Sequence, residues 1–403
     1  MKNLKYDFRD LFKAWRIGFS FQRIWVNSIG LFAGYLIYLI VSYISLLVGG
    51  QSFDQAWNQF GLLPCGIAVS IPWYARLIYF IGLLAFGAII LLTNTAVARV
   101  SYMALREELF YSWKQAYKFA FKKWVSAIGA VLTFIFIIAF FVIGALVMGL
   151  LGRIPYIGEL GTALLTLPYL FAAMVLLFVF IVSIVGIFLI PVILATADED
   201  ALGSVFQSFS ITFTQPWRLA VYTIIVGFLE IVGLFLFAVG LKLSYEIFIK
   251  LFSFGMGEKI IAIKSHALHL VDQALPALYN WLHALPCDLG QYIYLSQPTS
   301  AAALPGVQVV AAFIMAIFFL LYGASAVAYG EAVGNAGLTI LYVVLYKKQE
   351  NENLLEREDE ELKEEEEEET SAETEKSTEG GTTETEENKT DEGEKEKSEG
   401  EKE

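Results

Sequence analysis

The side chain best placed to do chemistry is Glu230, a carboxylate in the middle of an otherwise apolar segment, 219–241. An ionised carboxylate is costly inside a membrane, and acidic residues found there often belong to proton or cation pathways. A neutral Glu230 that is hydrogen-bonded to a nearby hydroxyl, or that reaches a water-filled cleft, would explain the same position without transport. Glu230 is therefore an intramembrane polar candidate for which both interpretations stay open.

A second group of residues has the spacing of metal ligands. His266, His269 and Asp272 recur at intervals of three, and His283 follows later in the same segment. One helix face could carry the first three, but no fixed fourth ligand accompanies them, so we favour a solvated or interfacial helix face and predict no metal site. The chain also has no P-loop, dinucleotide fingerprint, nucleophile elbow or His-Glu-x-x-His motif, and we predict no cofactor and no enzymatic activity.

The elements that position these residues follow from composition. The chain has 403 residues, of which 57% are hydrophobic and 17% charged. Residues 347–403 contain 9 Lys or Arg and 26 Asp or Glu, which leaves only 19 basic and 15 acidic residues for 1–346. A soluble domain has about a quarter of its residues charged, so we predict an integral membrane domain at 1–346 and a disordered acidic C-terminal tail at 347–403.

Six uncharged or nearly uncharged segments are long enough to cross a bilayer, which takes about 20 apolar residues. These predicted spans are 29–49, 77–97, 125–150, 168–196, 219–241 and 307–329. A further stretch, 332–346, is short and contains three Gly or Asn residues, so we interpret it as a continuation of the sixth helix. The predicted fold class is all-α, a polytopic membrane helix bundle.

Basic residues indicate the orientation, because Lys and Arg accumulate in cytoplasmic loops. With the N-terminus inside, fifteen Lys or Arg fall on the cytoplasmic side and six on the outer side. We therefore expect a protein of the cell membrane with both termini in the cytoplasm and an outer loop at 243–304.

An internal repeat divides the spans into three hairpins. The sequence F-S-F-Q-R-I-W-V-N-S-I-G at 19–30 resembles F-A-F-K-K-W-V-S-A-I-G at 119–129, and a weaker copy precedes the fifth span. Trp25, Trp124 and Trp217 occupy matching places, 99 and 93 residues apart. We expect each Trp to lie at the membrane interface, after an amphipathic interfacial helix that introduces the hairpin.

The amphipathic pattern is clearest before the third span. One stripe at helical spacing is aromatic, and a second stripe consists of Lys114, Lys118 and Lys122. Such a helix would lie flat on the inner leaflet, with its lysines facing anionic lipid phosphates. Before the first span the corresponding apolar stripe is Phe8, Leu11, Phe12, Trp15 and Phe19. The alternative is that both helices pack on their own transmembrane bundle.

Small and polar residues near the end of the sixth span predict close helix packing. Gly330, Gly334 and Gly337 would let another helix of the same chain approach. Glu331 and Asn335, one turn apart, are expected to mark the membrane interface.

The two cysteines both fall in segments that this topology assigns to the outer side. Cys65 lies in L-P-C-G and Cys287 in L-P-C-D. Outside a reducing cytoplasm they could form a disulfide that links the first hairpin to the third, and a bridge and two separate thiols are equally compatible with the sequence.

A family resemblance enters at 191–218, P-V-I-L-A-T-A-D-E-D-A-L-G-S-V-F-Q-S-F-S-I-T-F-T-Q-P-W-R. This segment resembles a loose group of prokaryotic membrane proteins that includes YciC-like proteins and the membrane domain fused to some glycerophosphodiester phosphodiesterases. The matching residues are Pro191, Glu199, Ala201, Ser204, Ser208 and Trp217, and L-Y-V-V-L-Y-K-K at 341–348 resembles the exit of the group's last helix. The resemblance implies a helical membrane fold and says little about function, since this chain has no phosphodiesterase domain.

These observations favour a non-catalytic protein with a membrane-organising, lipid-interacting or assembly role. The alternative is a transporter or channel-like protein for a small or lipidic solute, using Glu230. The expected partner is the bilayer, particularly anionic inner-leaflet lipids, and not nucleic acid. The acidic tail is either simply solvated or a docking site for a basic protein partner.

Overall fold

The computed structural model describes residues 4–67, 69–108, 110–276 and 304–357. The described residues contain helices and no strand, and six of the helices are long and apolar enough to cross a membrane. The predicted fold class is therefore confirmed, and the chain is an integral membrane protein. The chain divides into Met1–Leu355 and Glu356–Glu403, and the architecture below is that of the first unit.

The same order of elements recurs three times: a short entry helix, a span, a short connecting helix and a second span. The first repeat consists of a 3-10 turn at Phe8–Phe12, α1 (Lys13–Gly18), α2 (Phe21–Val48), α3 (Phe53–Phe60) and α4 (Trp73–Leu105). The second consists of α5 (Trp113–Lys122), α6 (Trp124–Leu151), α7 (Ile157–Leu164) and α8 (Thr166–Ala197). The third, in the residues that the structure describes, consists of α9 (Ala201–Thr214), α10 (Pro216–Met256), α11 (Glu258–Ala274) and α12 (Gly306–Glu350). We call the end of the bundle with α1, α5 and α9 the entry face and the end with α3, α7 and α11 the return face.

Backbone conformation repeats along with the order of elements. The second span of each hairpin is followed by a left-handed residue that is not glycine: Glu107, Asp198 and Asn351, with φ of 73°, 55° and 56°. Asp and Asn tolerate this conformation because their short polar side chains bond locally. A residue with positive φ also precedes each connecting helix, at Gly50, Tyr156 and Gly257. The repeat is thus visible in the geometry of the corners.

Five of the predicted spans lie inside the long helices, and the first, 29–49, ends one residue beyond α2, at its C-cap Gly49. Helices α12 and α10 are much longer than a bilayer requires. They have 45 and 41 residues, which correspond to lengths of about 68 and 61 Å, whereas the hydrocarbon core is about 30 Å thick. The stretch 332–346 continues α12 without a break, as predicted. The predicted outer loop, 243–304, is helical in its described part, because α10 runs on to Met256 and α11 follows.

The best-buried part of the bundle lies toward the entry face, where α4, α8 and α12 bring their ends together. The fully buried side chains there include Tyr102, Leu194 and Tyr342. By contrast, large apolar side chains such as Phe136, Phe140 and Leu167 stay exposed along α6 and α8, which is the expected arrangement when lipid, not water, surrounds the helices.

The glycines of α12 lie against α10, as predicted. A Cβ placed on Gly330 would overlap Leu234, and one on Gly337 would overlap Val226. Gly334 lies between them and faces Glu230. These glycines therefore serve packing inside one chain and bring the backbone of α12 up to the side chains of α10.

The acidic stretch after α8 joins three helices. Asp198 Oδ1 lies 2.6 Å from Lys123 Nζ, at the boundary between α5 and α6. Asp200 caps α9, since its Oδ1 accepts a hydrogen bond from the Gly203 N–H at 2.7 Å. The carboxylates of this stretch thus stabilise the ends of helices.

Candidate functional site

Helix α5 begins at a capping box. Ser112 Oγ accepts from the Gln115 N–H at 3.2 Å, and Gln115 Oε1 accepts from the Ser112 N–H at 2.7 Å. These bonds satisfy two N–H groups that a helix start leaves without partners. The helix therefore starts at Trp113, which fixes where its side chains point.

One face of α5 packs on the bundle. Ala116, Phe119 and Ala120 are buried, and the Tyr117 hydroxyl donates to the Val26 carbonyl of α2 at 2.7 Å. Burial raises the pKa of Tyr117 above its usual value, with desolvation as the largest cause. Packing on the bundle, one of the two alternatives for this helix, is thus observed for this face.

The rest of α5 is exposed and has the two predicted stripes. Trp113 and Phe121 are exposed, as is Trp124 at the first residue of α6, and Lys114, Lys118 and Lys122 are exposed beside them. Because successive helical residues are about 100° apart, the aromatic stripe lies between the buried face and the lysine stripe. We call these aromatic and lysine side chains together the α5 surface.

The three repeated tryptophans lie near the beginnings of α2, α6 and α10. Trp25, Trp124 and Trp217 are 46%, 51% and 72% exposed. Each lies at the entry-face end of a span and is available to the surroundings, which is the position that an interfacial anchor needs. Their interfacial role stays a prediction.

The carboxylate of Glu230 rests on α12 at Gly334. A Cβ built on Gly334 would lie 2.5 Å from Glu230 Oε2 and 2.9 Å from its Cδ. Glu230 is half-buried, and Glu331, which is also half-buried, lies one turn before Gly334 on α12. Neither has an ion pair within the described part of the chain.

Asparagines extend this polar region between helices. Asn335 Nδ2 donates to Asn94 Oδ1 of α4 at 3.1 Å and to the Glu331 carbonyl at 2.9 Å. Asn27 of α2 donates to the Ala328 carbonyl at 2.9 Å. Asn335 is only 4% exposed, because the close approach of α4 places it inside the bundle; the expectation that Glu331 and Asn335 mark the membrane interface stays a prediction. We call Glu230, Glu331, Asn335, Asn94 and Asn27 the polar cluster.

The chemistry open to the polar cluster is limited. Two neighbouring carboxylates without a basic partner repel each other, and either a shared proton or a bound cation relieves the repulsion. Sequence reasoning missed Asn27 and Asn94, although an Asn inside or beside an apolar span is a visible signal for a polar contact between helices.

The remaining sequence candidates are the two cysteines and the histidine segment. Cys65 is half-buried after α3, and its predicted partner Cys287 lies outside the described residues, so the disulfide stays a prediction. Among the described residues no group of three His, Cys, Asp or Glu could hold a metal ion. His269 instead pairs with Gln273, at 3.1 Å between their side-chain nitrogens.

Arg99, one of the fifteen basic residues that the sequence assigns to the cytoplasmic side, lies near the entry-face end of α4 and is buried. The structure buries it to 1% exposure at the junction of α4, α5 and α8. Its guanidinium donates to the Ala195 carbonyl at 3.0 Å and lies 4.3 Å from the ring centroid of Phe119. Arg99 therefore stabilises the end of α8, where the helix dipole favours a cation.

No known protein-family model, curated protein or solved structure matches this chain. The resemblance drawn from 191–218 accordingly stays an expectation. What the fold and sites define is an all-α integral membrane protein with three hairpin repeats.

Proposed function

We propose that this protein is a non-catalytic component of the cell membrane that binds anionic lipids of the cytoplasmic leaflet through the α5 surface. Its role would be to organise the membrane or to support the assembly of other components there. The observation that carries the proposal is the order of faces around α5: a buried face, then exposed aromatic rings, then Lys114, Lys118 and Lys122.

This order suits a helix in the plane of an interface. Aromatic rings prefer headgroup depth, and lysines beyond them would reach lipid phosphates. Each lysine near an anionic surface contributes about 1 kcal/mol, so the stripe would supply about 3 kcal/mol, an amount that salt weakens. Because the buried face of α5 is already packed on the bundle, binding to the membrane requires little further ordering of the helix and so has a small entropic cost.

The orientation in this proposal rests on the distribution of basic residues. The entry face contains both ends of the described chain, since the Tyr6 hydroxyl donates to Asn353 Oδ1 at 2.6 Å. Lys347 lies there too, 3.7 Å from the ring centroid of Tyr6. A face rich in Lys and Arg is the one expected to remain in the cytoplasm.

The test is lipid enrichment around the purified full-length protein. The protein would be inserted into nanodiscs from an equal mixture of phosphatidylglycerol and phosphatidylcholine, and the lipids retained on extraction would be counted by mass spectrometry. The triple variant K114Q/K118Q/K122Q should lose most of the phosphatidylglycerol enrichment. The matched control K250Q/K259Q/K264Q removes the same charge from the return face and should retain the phosphatidylglycerol enrichment. Equal enrichment in the unaltered protein and both variants would contradict the proposal.

A second candidate function, transport of a small or lipidic solute, is favoured by the pairing of Glu230 with Glu331 inside the bundle. Proton- or cation-coupled flux would need one of these carboxylates to change its charge. In proteoliposomes, Glu230→Gln should abolish flux if the chain is a transporter. A structural protein would show no coupled flux in either form.

A further inference from the structure

A groove of about 600 Å³ opens between α1, α10 and α12. Its walls are aromatic, with Trp15 and Phe19 on one side and Phe237 and Tyr329 on the other. It uses none of the residues of the α5 surface. Ligand sites in proteins have this size and are mostly apolar with a few placed polar groups.

The walls of the groove are held in place by other contacts. The Trp15 indole N–H donates to the Leu229 carbonyl of α10 at 2.7 Å. The rings of Phe237 and Tyr329 lie 4.6 Å apart, and Phe19 meets Tyr329 edge to face at 5.8 Å. The groove is therefore formed before any ligand arrives, which lowers the entropic cost of binding.

Two glycines of α10 leave the groove open. Gly233 and Gly240 are two turns apart, and both line the groove. Gly233 approaches the Trp15 indole closely, whereas a Cβ on Gly240 would meet nothing within 4 Å. A large side chain at 240 would thus fill the groove and leave the packing of α10 on its neighbours unchanged.

Charge identifies one kind of ligand. Arg16 is exposed and lines the groove, and within the described residues its guanidinium has no hydrogen bond or ion pair. A guanidinium beside an apolar groove suits a phosphate attached to a hydrocarbon chain, because its fork of N–H donors matches phosphate oxygens.

The length of the groove agrees with this ligand. The groove follows α10 from Gly233 to Ser244, eleven residues or about 16 Å along the helix. That is about half the thickness of a hydrocarbon core of about 30 Å, the depth that the acyl chains of one leaflet fill.

We propose that this groove binds one acyl chain of an anionic phospholipid, whose phosphate is held by Arg16. The site is independent of the α5 surface, so either proposal can fail without the other.

The test uses the full-length protein in nanodiscs that contain phosphatidylglycerol with a photoreactive group on its acyl chain. After illumination, the labelled peptides are located by mass spectrometry. We expect labelling in 13–19 and 233–244. Gly240→Leu should reduce this labelling about tenfold by filling the groove, whereas Gly227→Leu, at another position of α10 with open space, should leave it unchanged.

Arg16 is tested by comparing phosphatidylglycerol with a phosphatidylcholine probe of the same chain. Arg16→Gln should lower the preference for phosphatidylglycerol about tenfold, and Arg16→Lys should restore part of it. Three results would overturn the proposal: labelling only outside these two segments, labelling that Gly240→Leu does not reduce, or equal labelling by both lipids. So would cross-links that place a second copy of the chain in the groove. Size-exclusion profiles that match the unaltered protein show that each variant is folded.

Discussion

The contact between Glu230 and Gly334 predicts a specific energetic coupling. Gly334→Ala adds one methyl group, and the three atoms nearest to it all belong to the Glu230 carboxylate, at 2.5, 2.9 and 3.4 Å. The carboxylate must move away, toward poorer packing or toward Glu331. Because the carboxylate is the far end of a flexible side chain, the cost lies at the low end of the range for overpacking, about 1 kcal/mol.

Removing the Glu230 carboxylate should remove the free-energy cost of the added methyl group. In a Glu230→Ala background the methyl group meets none of those atoms, so Gly334→Ala should be neutral, or stabilising by up to about 1 kcal/mol because Ala is the better helix former. We expect a coupling energy of about 1–2 kcal/mol between the two positions. Gly227→Ala, which meets nothing within 4 Å, is the control that should show no coupling.

The coupling is measured by unfolding the four proteins of the cycle with denaturant in detergent micelles, followed by tryptophan fluorescence. The midpoint of Gly334→Ala should fall, and the midpoint of the double variant should return to that of Glu230→Ala. Additivity of the two substitutions within about 0.5 kcal/mol would refute the geometry of the polar cluster.

Three further predictions use the same bundle. Gly30→Ala would drive a methyl group into the Thr93 side chain and should destabilise the protein by about 1–3 kcal/mol in a denaturant titration, whereas Gly87→Ala, with open space, should not. Arg99→Ala should lower the thermal unfolding midpoint more than Arg99→Met, because Ala also leaves a cavity, and equal midpoints would exclude a packing role. A membrane-impermeant maleimide should label Cys65 in intact cells only after reduction if the predicted disulfide forms, and labelling that needs permeabilised cells would invert the proposed orientation.

Much of the fold could be predicted because it follows from patterns along the chain. Spans are long apolar segments, and the glycines of α12 are visible as small residues at helical spacing. The α5 stripes are also local, since the spacing of Lys114, Lys118 and Lys122 alone determines that they share a face.

What could not be predicted depends on partners far apart in the chain. Arg99 is buried because Ala195, 96 residues later, offers a carbonyl, and nothing near Arg99 in the sequence distinguishes it from a loop cation. The detailed structure before the first span could not be predicted either: within the predicted stripe Leu11 is buried, whereas Phe8, Phe12 and Phe19 are exposed. Here a 3-10 turn followed by a six-residue helix replaces the regular helix on which the stripe was based.

The most direct measurement of the central claim is the depth of the α5 surface in a bilayer. Spin labels would be attached at 118 or 121 in full-length protein whose Cys65 and Cys287 are replaced by Ser, and collisions with oxygen and with a water-soluble nickel complex would be compared by electron paramagnetic resonance. If α5 lies in the interface, the label at 121 should collide mainly with oxygen, inside the bilayer, and the label at 118 mainly with nickel, at the phosphates. If both labels collide mainly with nickel, α5 stands in water and does not bind the membrane.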